Sequence, residues 1–504
     1  MVDRSDASEL WLDYVADLGD GWMPTYTVAR LIAREGLALE WDGRTIATER
    51  GRLLVMGGDQ AYPVPKRSEY EDRLLGPYRA ALPCVPGEPP ELFAVPGSHD
   101  WYDGLLNFIS VFCRGHWIGG WRTRQSRSYF SVKLPHGWWL WGIDIQFGAY
   151  IDDAQLTYFS AVASDHVQRG DRIILCLSKE VASGAEKAEL YTERNLAYFQ
   201  REIIEPTGAQ VMVYLKSGRH HYCRYQEEDG PHQHITAGGG GAFLHPTHHL
   251  PEHLDLADKG QTSPYRRAAV YPSLDTSKRL RKRLWLLPLR NLPFTAVLGG
   301  VHVLLALTLG LQLRGGYVSL ELDDLWWALW ESPTAVMLMV LMLLLLGAMV
   351  RFAHDARGLT RLLLGSVHSG LQLAATAGFM VAASRLTGAL PVQGPAALAT
   401  FLGLLGALGG LGGSLGMAGY LWATNCLGFH GNEAYALLRV MDYKHFLRLH
   451  IDRDGGLTLF PIGMERVCRS WRLSPDGPPH APWFDPAEAE PAVHLVEGPV
   501  RVGG

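Results

Sequence analysis

The sequence predicts an α/β domain, followed by a four-helix transmembrane bundle and a small C-terminal α+β segment. Two observations lead to this fold class. Short apolar runs that end in polar residues or glycine alternate with helix-like segments through residues 10–240, which is typical of strands covered by helices. Residues 291–425 instead contain long apolar segments with almost no charge. The 504 residues exceed what one hydrophobic core usually serves, so at least two domains are expected.

The elements of the soluble domain, residues 1–270, follow from local patterns. Short runs rich in Val, Ile and Leu predict buried strands, and they occur in LDYVAD, RLLVMGGD, LFAVPGSHD, WWLWGIDI, RIILCLSK and AQVMVYLKSGRHH. Helical spacing is found between them in TVARLIAREGLAL and ERNLAYFQREII. A basic juxtamembrane linker, residues 271–291, ends this domain.

A membrane region is predicted for residues 292–425, with buried core helices as the alternative. Four windows approach or exceed the roughly 20 apolar residues that cross a bilayer as a helix, at about residues 292–313, 333–350, 363–384 and 395–425. Basic residues precede the first window and lie between the second and third, so the positive-inside rule places both termini in the cytoplasm. The N-terminus lacks the pattern of a secretory signal. We therefore expect a multi-pass protein of the inner (cytoplasmic) membrane.

The fourth window contains glycines spaced four apart, at Gly406 and Gly410 and again at Gly409 and Gly413. Small residues at this spacing let helices pack closely. The packing they predict is either within the bundle or across a homo-oligomer.

The C-terminal part divides into two predicted segments. Residues 426–472 show helical spacing up to LRLHID, and DRDGG then predicts a hairpin turn before a strand. Residues 473–504 are rich in proline and acidic residues, which predicts a poorly ordered tail.

Composition limits the partners. The net charge of -5 does not indicate a nucleic-acid partner. The 6 cysteines are scattered without CxxC or other zinc spacing, so we expect them to be reduced and mostly structural.

Residues suited to metal binding or proton transfer follow the apolar runs of the soluble domain. They are Asp17, Asp59, His99, Lys179 and His220. Loops of an α/β sheet converge into a ligand crevice at the carboxyl ends of its strands. The negative charge of a phosphoester hinders attack, and divalent ions neutralise it and make hydroxide available. A site of that kind needs carboxylate and imidazole ligands, and these residues include both types.

Five motifs in this order resemble the calcineurin-like metallophosphoesterases, whose pattern runs D-x-H, G-D-x-x, G-N-H-D/E, a lone His and G-H-x-H. The counterparts are ADLGDG, GGDQAYP, GSHDWYDG, LCLSKE and SGRHHYCRY. The longer strings GSHDWYDGL, RSYFSVKLP, HHYCRY and ITAGGGGAFLHPTHH look like a bacterial branch with a C-terminal membrane segment. The resemblance implies a layered β-sandwich flanked by helices, one or two divalent ions (Mn, Fe, Zn or Mg), and a phosphorylated small-molecule or lipid substrate.

The resemblance implies that one metal is held by Asp17, Asp59 and His220. Gly19 stands where the family has a histidine, and Asp20 could supply another oxygen. Three of the four family ligands for this metal therefore remain.

The second metal of the family loses more of its ligands. Ser98 replaces an asparagine, Ser178 or Lys179 replaces the lone histidine, and Gly218 replaces the first histidine of G-H-x-H. A serine hydroxyl can ligate magnesium, but a lysine ammonium repels a divalent ion. Two hypotheses follow: a phosphoesterase with one intact metal site, or a pseudophosphoesterase that binds a ligand or partner.

Other residues would act on substrate. By the resemblance His99 would contact the leaving-group oxygen and Asp100 would orient it. The basic strip with Arg122, Arg124 and Arg127 either binds substrate phosphate or forms a solvated loop.

Three further histidines, His221, His245 and His248, lie close in sequence to the last motif or to ITAGGGGAF. His221 would contact a metal ligand or simply face the surface. His245 and His248 would contact the ligands or supply replacements for them. The four glycines are typical of a mobile loop beside the site, and the alternative is a close approach of backbone to phosphate.

Overall fold

A computed structural model describes residues 1–145, 150–178, 187–258, 261–310, 323–324, 326–327, 335–474 and 478–503. The chain divides into two compact units. The first unit comprises Met1–Leu274 together with Val440–Gly504, and the second comprises Asp275–Arg439.

The strands, numbered in chain order, all belong to the first unit. They are β1 (Val2–Asp3), β2 (Leu10–Val15), β3 (Gly36–Trp41), β4 (Arg44–Glu49), β5 (Leu53–Met56), β6 (Glu91–Ala94), β7 (Trp117–Ile118), β8 (Trp121–Thr123), β9 (Phe130–Lys133), β10 (Trp138–Ile143), β11 (Arg172–Leu177), β12 (Gln210–Lys216), β13 (Tyr222–Glu227), β14 (Gln233–Ala237), β15 (His253–Asp258), β16 (Gln261–Tyr271), β17 (Lys444–Ile451), β18 (Leu457–Met464), β19 (Trp471–Leu473), β20 (Phe484–Pro486), β21 (Val493–Leu495) and β22 (Val500–Val502).

The α-helices of the first unit are α1 (Trp22–Ile32), α2 (Arg67–Tyr70), α3 (Gly76–Ala81), α4 (Leu106–Phe112), α5 (Asp153–His166) and α6 (Lys187–Phe199). A π-helical turn, Glu71–Leu75, joins α2 to α3. Helix α5 begins at an N-cap, because the Asp152 carboxylate accepts a hydrogen bond from Gln155 N at 2.8 Å.

Two mixed sheets form the centre of the first unit. In the described residues, one runs in the order β1-β9-β10-β11-β12-β14-β13-β16-β15, and the other in the order β21-β18-β17-β2-β5-β6-β8-β7, with β22 beside β18. One apolar core joins both sheets, and two others lie on their outer faces, against α1, α3 and α4 on one side and against α5 and α6 on the other. The α/β class and its two-layered sheet with flanking helices agree with the sequence prediction.

The C-terminal strands β17, β18, β21 and β22 belong to the second sheet. The sequence analysis instead predicted that this part of the chain forms separate segments. Residues 426–472 and 473–504 are not a separate helix–hairpin segment and a poorly ordered tail, because β17 pairs with β2 over Leu10–Tyr14 and β18 pairs with β21 and β22. The predicted hairpin turn is present between β17 and β18. The helix ends at Leu438, because the residues after it have their apolar side chains buried on both faces, as in a central strand.

The second unit is helical. Its α-helices are α7 (Leu274–Arg281), α8 (Leu287–Arg290), α9 (Leu292–Gly310), α10 (Ala335–Phe352), α11 (Gly358–Gly388), α12 (Pro395–Cys426) and α13 (Gly431–Leu438). Each of the four predicted membrane windows therefore contains a helix. By length and hydropathy, α12 is the one described helix that could cross a membrane by itself, and Leu274–Arg290 with Leu292–Thr308 would add a second as a pair bent by 64°. In α11, internal polar residues such as His368 and Gln372 lower the hydropathy.

The spaced glycines of α12 pack against α9 within the same chain. A Cβ at Gly409 would lie 2.6 Å from the Cβ of His302, and one at Gly413 would lie 2.6 Å from His302 Nε2. A Cβ at Gly410 would lie 2.9 Å from the carbonyl oxygen of Thr295. The close packing predicted for these glycines occurs within the bundle.

Candidate functional site

The candidate site begins where three parallel strands end. Val15 of β2 is paired with Met56 of β5, which is paired with Ala94 of β6. The loops that follow carry Asp17 and Asp59, which are 0% and 4% exposed. Both aspartates have left-handed backbone, with φ of 56° and 52°, which is uncommon outside glycine and best tolerated by Asn and Asp. The surrounding structure therefore imposes the position of both carboxylates.

The side chains converge on the hydroxyl oxygen of Tyr62, a residue that the sequence analysis did not select. This oxygen lies 3.4 Å from Asp17 Oδ1, 3.3 Å from Asp59 Oδ2 and 3.0 Å from His220 Nε2. His220 Nδ1 lies 2.7 Å from the carbonyl oxygen of Phe243 and donates to it, so Nε2 carries a lone pair toward Tyr62. The phenol has one proton for three acceptors. We call Asp17, Asp59, Tyr62 and His220 the tyrosine-centred site.

Burial sets the protonation of this site. Burial, followed by the charges of Asp59 and Asp17, raises the pKa of Tyr62 well above its ordinary value. Burial lowers the pKa of His220 to about 3, so the imidazole is neutral and able to ligate a metal. Two carboxylates, a phenol and an imidazole are oxygen-rich donors that fit a hard or borderline metal ion. The donor set therefore fits a metal.

The spacing among the two carboxylates and the imidazole is wider than in a metal-bound site. Each of them lies 3.0 to 3.4 Å from the phenol oxygen, within the roughly 4.2 Å that can separate two ligands with bonds of about 2.1 Å to one ion. Asp17, Asp59 and His220 are not, however, a group whose donor atoms all lie within 4.8 Å of one another. In the described residues, the group of three or more His, Cys, Asp or Glu donors that all lie within 4.8 Å of one another is elsewhere, at His354, Asp355 and Glu433. Binding an ion here would require the donors to move inward.

Small polar groups surround the positions at which the sequence resemblance implied ligands of a second metal. Ser217 Oγ donates to the Gly57 carbonyl at 2.9 Å, which uses its one proton, and it accepts from the Ser178 hydroxyl at 3.0 Å. Gly218 N donates to both Asp17 oxygens at 3.1 and 3.0 Å. Ser98 is exposed, and Lys179 lies outside the described residues. The described groups on this side therefore offer hydroxyl and amide groups in place of the family's histidines.

His99 lies beside the site, but Asp100 does not orient it. His99 N donates to Asp59 Oδ1 at 2.8 Å, its Nδ1 contacts the Pro63 carbonyl at 2.8 Å, and its ring packs on Tyr62 at 4.3 Å between centroids. The orienting partner of His99 is thus a backbone carbonyl, which motif spacing cannot reveal.

Asp100 instead fixes the loop around Asp59. Its fully buried carboxylate accepts hydrogen bonds from Gly97 N at 2.8 Å, from Gln60 N at 3.2 Å and from the Tyr70 hydroxyl. Burial, followed by the charge of Asp59, raises the pKa of Asp100 to about 8. The prediction that Asp100 serves His99 was therefore wrong, because Asp100 points into the loop core.

Asp20 lies at the edge of a neighbouring cleft. Its Oδ2 accepts a hydrogen bond from Phe243 N at 3.3 Å, and its Oδ1 lies 3.9 Å from the Arg73 guanidinium. The cleft, of about 580 Å³, is lined by Asp20, Gly21, Trp22, Glu71, Asp72, Arg73 and Gly76. Because Asp20 is held by Arg73 and Phe243, its predicted role as a metal ligand remains a prediction.

The arginine strip does not form one phosphate-binding group. Arg124 Nε pairs with Glu91 Oε1 at 2.8 Å, and Arg122 is paired in register with Glu91. Glu91 begins β6, whereas the site follows the end of β6, so Arg124 is engaged in an ion pair away from the site, and the roles of Arg122 and Arg124 in binding substrate remain predictions. Arg127 lies over the rings of Tyr129 and Tyr158, at 5.9 and 5.2 Å.

The three additional histidines differ in their surroundings. His245 stacks on His220 with 3.9 Å between ring centroids, whereas His248 contacts His249 with tilted rings whose centroids are 4.1 Å apart. His221 is buried, and burial lowers its pKa to about 3. His245 is therefore the one of the three that directly supports a ligand of the tyrosine-centred site.

The glycine-rich loop packs against the loop of Asp17. Gly240 N donates to the Ala16 carbonyl at 2.8 Å, and Ala242 N donates to the Asp17 carbonyl at 2.9 Å. A Cβ at Gly238 would overlap Asp17 Oδ2. Glycine is therefore required here for close packing against Asp17, which differs from the mobile loop that the sequence favoured.

A buried lysine from the C-terminal strand β17 also reaches this region. Lys444 is 0% exposed, and its Nζ donates to the Ala242 carbonyl at 2.5 Å. Burial lowers its pKa to about 8, while Asp442, Asp20 and Asp17 oppose this change. Local sequence could not indicate this residue, because 202 positions separate it from the carbonyl that it contacts.

Comparison with known proteins gives distant likenesses. No protein-family model matches the sequence, and no curated protein matches it. Among solved structures, GAP50, the anchor in the inner membrane complex of Plasmodium, is 15% identical with a TM-score of 0.34, covering 47% of this chain and 74% of GAP50. Purple acid phosphatase PPD1 from yellow lupin seeds is 12% identical with a TM-score of 0.31, covering 52% and 48%. PhoD is 9% identical with a TM-score of 0.30, covering 48% and 59%.

These three likenesses are distant, and each covers about half of this chain. The chain spans less than two thirds of the purple acid phosphatase and of PhoD. The α/β unit has two mixed sheets, as described above, and is joined to a helical region.

Proposed function

We propose that the protein is a metal-dependent phosphoester hydrolase that uses one metal ion, held by Asp17, Asp59, Tyr62 and His220. The observation that supports this proposal is the convergence of two carboxylates and a neutral imidazole on one phenol oxygen. Two carboxylates close together in a buried site repel each other, and a cation removes that repulsion. Three oxygen donors with one nitrogen favour Fe or Mn among the four candidate metals.

The residues around the ion have separate tasks. A bound ion would supply electrostatic stabilisation of a phosphate oxygen and would lower the pKa of a bound water. His99, in its cationic form, donates Nδ1–H to the Pro63 carbonyl and turns Nε2–H toward the leaving-group oxygen. Asp59 Oδ1, which accepts from His99 N, fixes the distance between the ligand loop and this acid. Lys444 adds positive charge beside Asp17.

The substrate class and cellular location belong to this proposal. A phosphorylated small molecule or lipid is the expected substrate, and the apolar helix α12 is consistent with a membrane location. The proposed placement is in the inner membrane with both termini in the cytoplasm, as the basic flanks of the apolar windows indicate.

The alternative is a pseudophosphoesterase that binds a ligand or partner. It is favoured by Ser178, Ser217 and Gly218, which line the second-metal side with hydroxyl and amide groups. Under this alternative, Tyr62 keeps its proton and holds Asp17 and Asp59 together by hydrogen bonding, and no metal enters.

Metal content and hydrolysis of generic monoester and diester substrates separate these functions. We expect about one Fe or Mn per chain and measurable turnover, with loss of at least tenfold in metal affinity in Tyr62→Phe, since this variant removes one of four donors. With ferric iron, the wild-type protein should show a visible phenolate-to-metal absorption band that Tyr62→Phe lacks.

A matched control is Tyr225→Phe. Tyr225 is also buried and donates to a carbonyl, that of Pro251 at 2.8 Å, but it lies outside the tyrosine-centred site. Its metal content should equal that of the wild type. Absence of both metal and turnover with Mn, Fe, Zn and Mg, in a folded protein, would reject the enzyme and favour the pseudophosphoesterase.

A further inference from the structure

A second group of potential ligands lies entirely within the helical unit. We call His354, Asp355, His430 and Glu433 the helix-end cluster. His354 and Asp355 lie in the turn between α10 and α11, His430 directly precedes α13, and Glu433 lies in the first turn of α13. One donor atom from each of His354, Asp355 and Glu433 lies within 4.8 Å of the others.

Direct contacts hold the cluster together. His354 Nε2 lies 3.1 Å from Asp355 Oδ1, and His354 Nδ1 lies 3.2 Å from Glu433 Oε1. The backbone N–H of His430 donates to Asp355 Oδ2 at 3.0 Å. The turn after α10 is thereby joined to the start of α13 through side chains that are all suited to ligating a metal.

His430 provides an independent observation. Its side chain is 0% exposed, and its Nδ1 has no hydrogen-bond partner in the described part of the chain. The Tyr420 hydroxyl lies 3.0 Å from His430 Nε2 and donates to the Leu364 carbonyl at 3.4 Å. With the hydroxyl proton directed to Leu364, the Tyr420 oxygen accepts a hydrogen bond from His430 Nε2–H, an arrangement that leaves a lone pair on His430 Nδ1.

This lone pair faces a carboxylate oxygen. His430 Nδ1 lies 3.9 Å from Glu433 Oε2, which is too long for a hydrogen bond. Two acceptors that face each other in a buried place are unfavourable without positive charge between them. Ligands that are each about 2.1 Å from one ion lie at most about 4.2 Å apart. The observed separation therefore suits two ligands of the same ion.

We infer that the helix-end cluster binds a divalent transition-metal ion such as Zn²⁺ through His354, Asp355, His430 and Glu433. Two imidazoles and two carboxylates form a four-ligand set without thiolate, which zinc accepts in a closed structural site. The ion would tie the turn between α10 and α11 to α13. This site is independent of the phosphoesterase proposal, since it shares no residue with the tyrosine-centred site.

The test uses the full chain in detergent, made without a histidine tag and carrying Asp59→Asn and His220→Ala to disable the tyrosine-centred site. After removal of metals by a chelator, Zn²⁺ uptake is measured by equilibrium dialysis and metal analysis. We expect about one Zn²⁺ per chain and at least a tenfold loss of affinity when Glu433→Gln or His430→Ala is added. Asp275→Asn, an exposed carboxylate in the same unit, should leave the affinity unchanged.

Two results would overturn the inference. One is no Zn²⁺ uptake, which would leave the contacts of His354 with Asp355 and Glu433 as hydrogen bonds without a metal. The other is equal affinity in Glu433→Gln, His430→Ala and Asp275→Asn. X-ray absorption of Zn²⁺ in the protein with the intact cluster is a second measurement that needs no cluster variant to fold. Nitrogen and oxygen ligands with imidazole scattering support the inference, and sulfur ligands or the absence of imidazole contradict it.

Discussion

The tyrosine-centred site and the helix-end cluster offer similar donor atoms in different surroundings. In the first, Asp17, Asp59, Tyr62 and His220 are at most 6% exposed and follow strands or lie in loops packed on them. In the second, the exposed fractions of the side chains are 50% for His354, 31% for Asp355, 15% for Glu433 and 0% for His430.

This difference in burial predicts different behaviour toward metals. Electrostatic interactions are stronger in a low-dielectric interior than at a wet surface, so the buried site should respond to an added ion with larger changes in proton binding. The half-exposed His354 gives solvent and ions direct access to the helix-end cluster. Hence we expect exchange of metal to be slower at the tyrosine-centred site than at the helix-end cluster.

The largest effect is predicted for Arg448→Met, which tests how far the buried site depends on the C-terminal strands. Arg448 Nε pairs with Asp13 Oδ1 at 3.0 Å, and both side chains are 0% exposed. Asp13 lies on β2, the strand that leads to Asp17. The change leaves this aspartate without its charged partner. Loss of one member of such a pair costs about 3–5 kcal/mol, measurable as a lower free energy of unfolding in denaturant.

Arg453→Met is the control for this prediction. Arg453 pairs with Glu9 at 2.9 Å, but its side chain is 75% exposed, and such surface pairs contribute little. Equal stability of the two variants would show that the contact between β17 and β2 does not support the first unit.

The sequence predicted those parts of the fold in which the contacting residues are close together along the chain. The ends of β2, β5 and β6 were visible as apolar runs followed by Asp17, Asp59 and His99, because strand and loop are adjacent. Pairing of β17 with β2 joins Arg448 to Asp13, 435 positions apart, and no local pattern reports such a pair.

The site was predicted in part for a similar reason. Asp17, Asp59 and His220 lie in the motifs that the sequence analysis selected, and the structure brings them together. Tyr62 was overlooked although it follows Asp59 by three residues in GGDQAYP. The family motif at this point, G-D-x-x, specifies the aspartate but not the residues after it. Asp100 was misassigned because adjacency to His99 says nothing about the direction of its side chain.

An effect of similar size, spread over the range from about pH 4 to about 8, is predicted for the pH dependence of unfolding in Asp100→Asn. An aspartate ionises near pH 4 in an unfolded chain, whereas burial raises the pKa of Asp100 to about 8 in the folded protein. The folded state therefore holds one more proton between these values, so its stability falls as pH rises from about 4 to 8, by up to about 1.4 kcal/mol per pH unit. Asp100→Asn should remove this contribution, as measured by urea unfolding across that range.

A bound metal should weaken the same slope in the wild type, because a cation at Asp59 offsets one cause of the raised pKa of Asp100. Zn²⁺ at the helix-end cluster should leave the slope unchanged in protein with the tyrosine-centred site disabled. Asp454→Asn, at an exposed turn, is the control. If the free energy of unfolding of Asp100→Asn changes with pH as it does in the wild type, Asp100 is not the group with the raised pKa.

The smallest effect is predicted for Arg124→Ala. Because Arg124 pairs with Glu91 at the start of β6, its loss should change kcat/KM for a generic phosphodiester by less than about twofold, within the range of surface substitutions. His99→Asn removes the acid beside Tyr62 and should lower kcat by about a hundredfold or more. A tenfold rise in KM for Arg124→Ala would mean that substrate extends along β6 to its opposite end, and the catalytic region would then be larger than the loops around Tyr62.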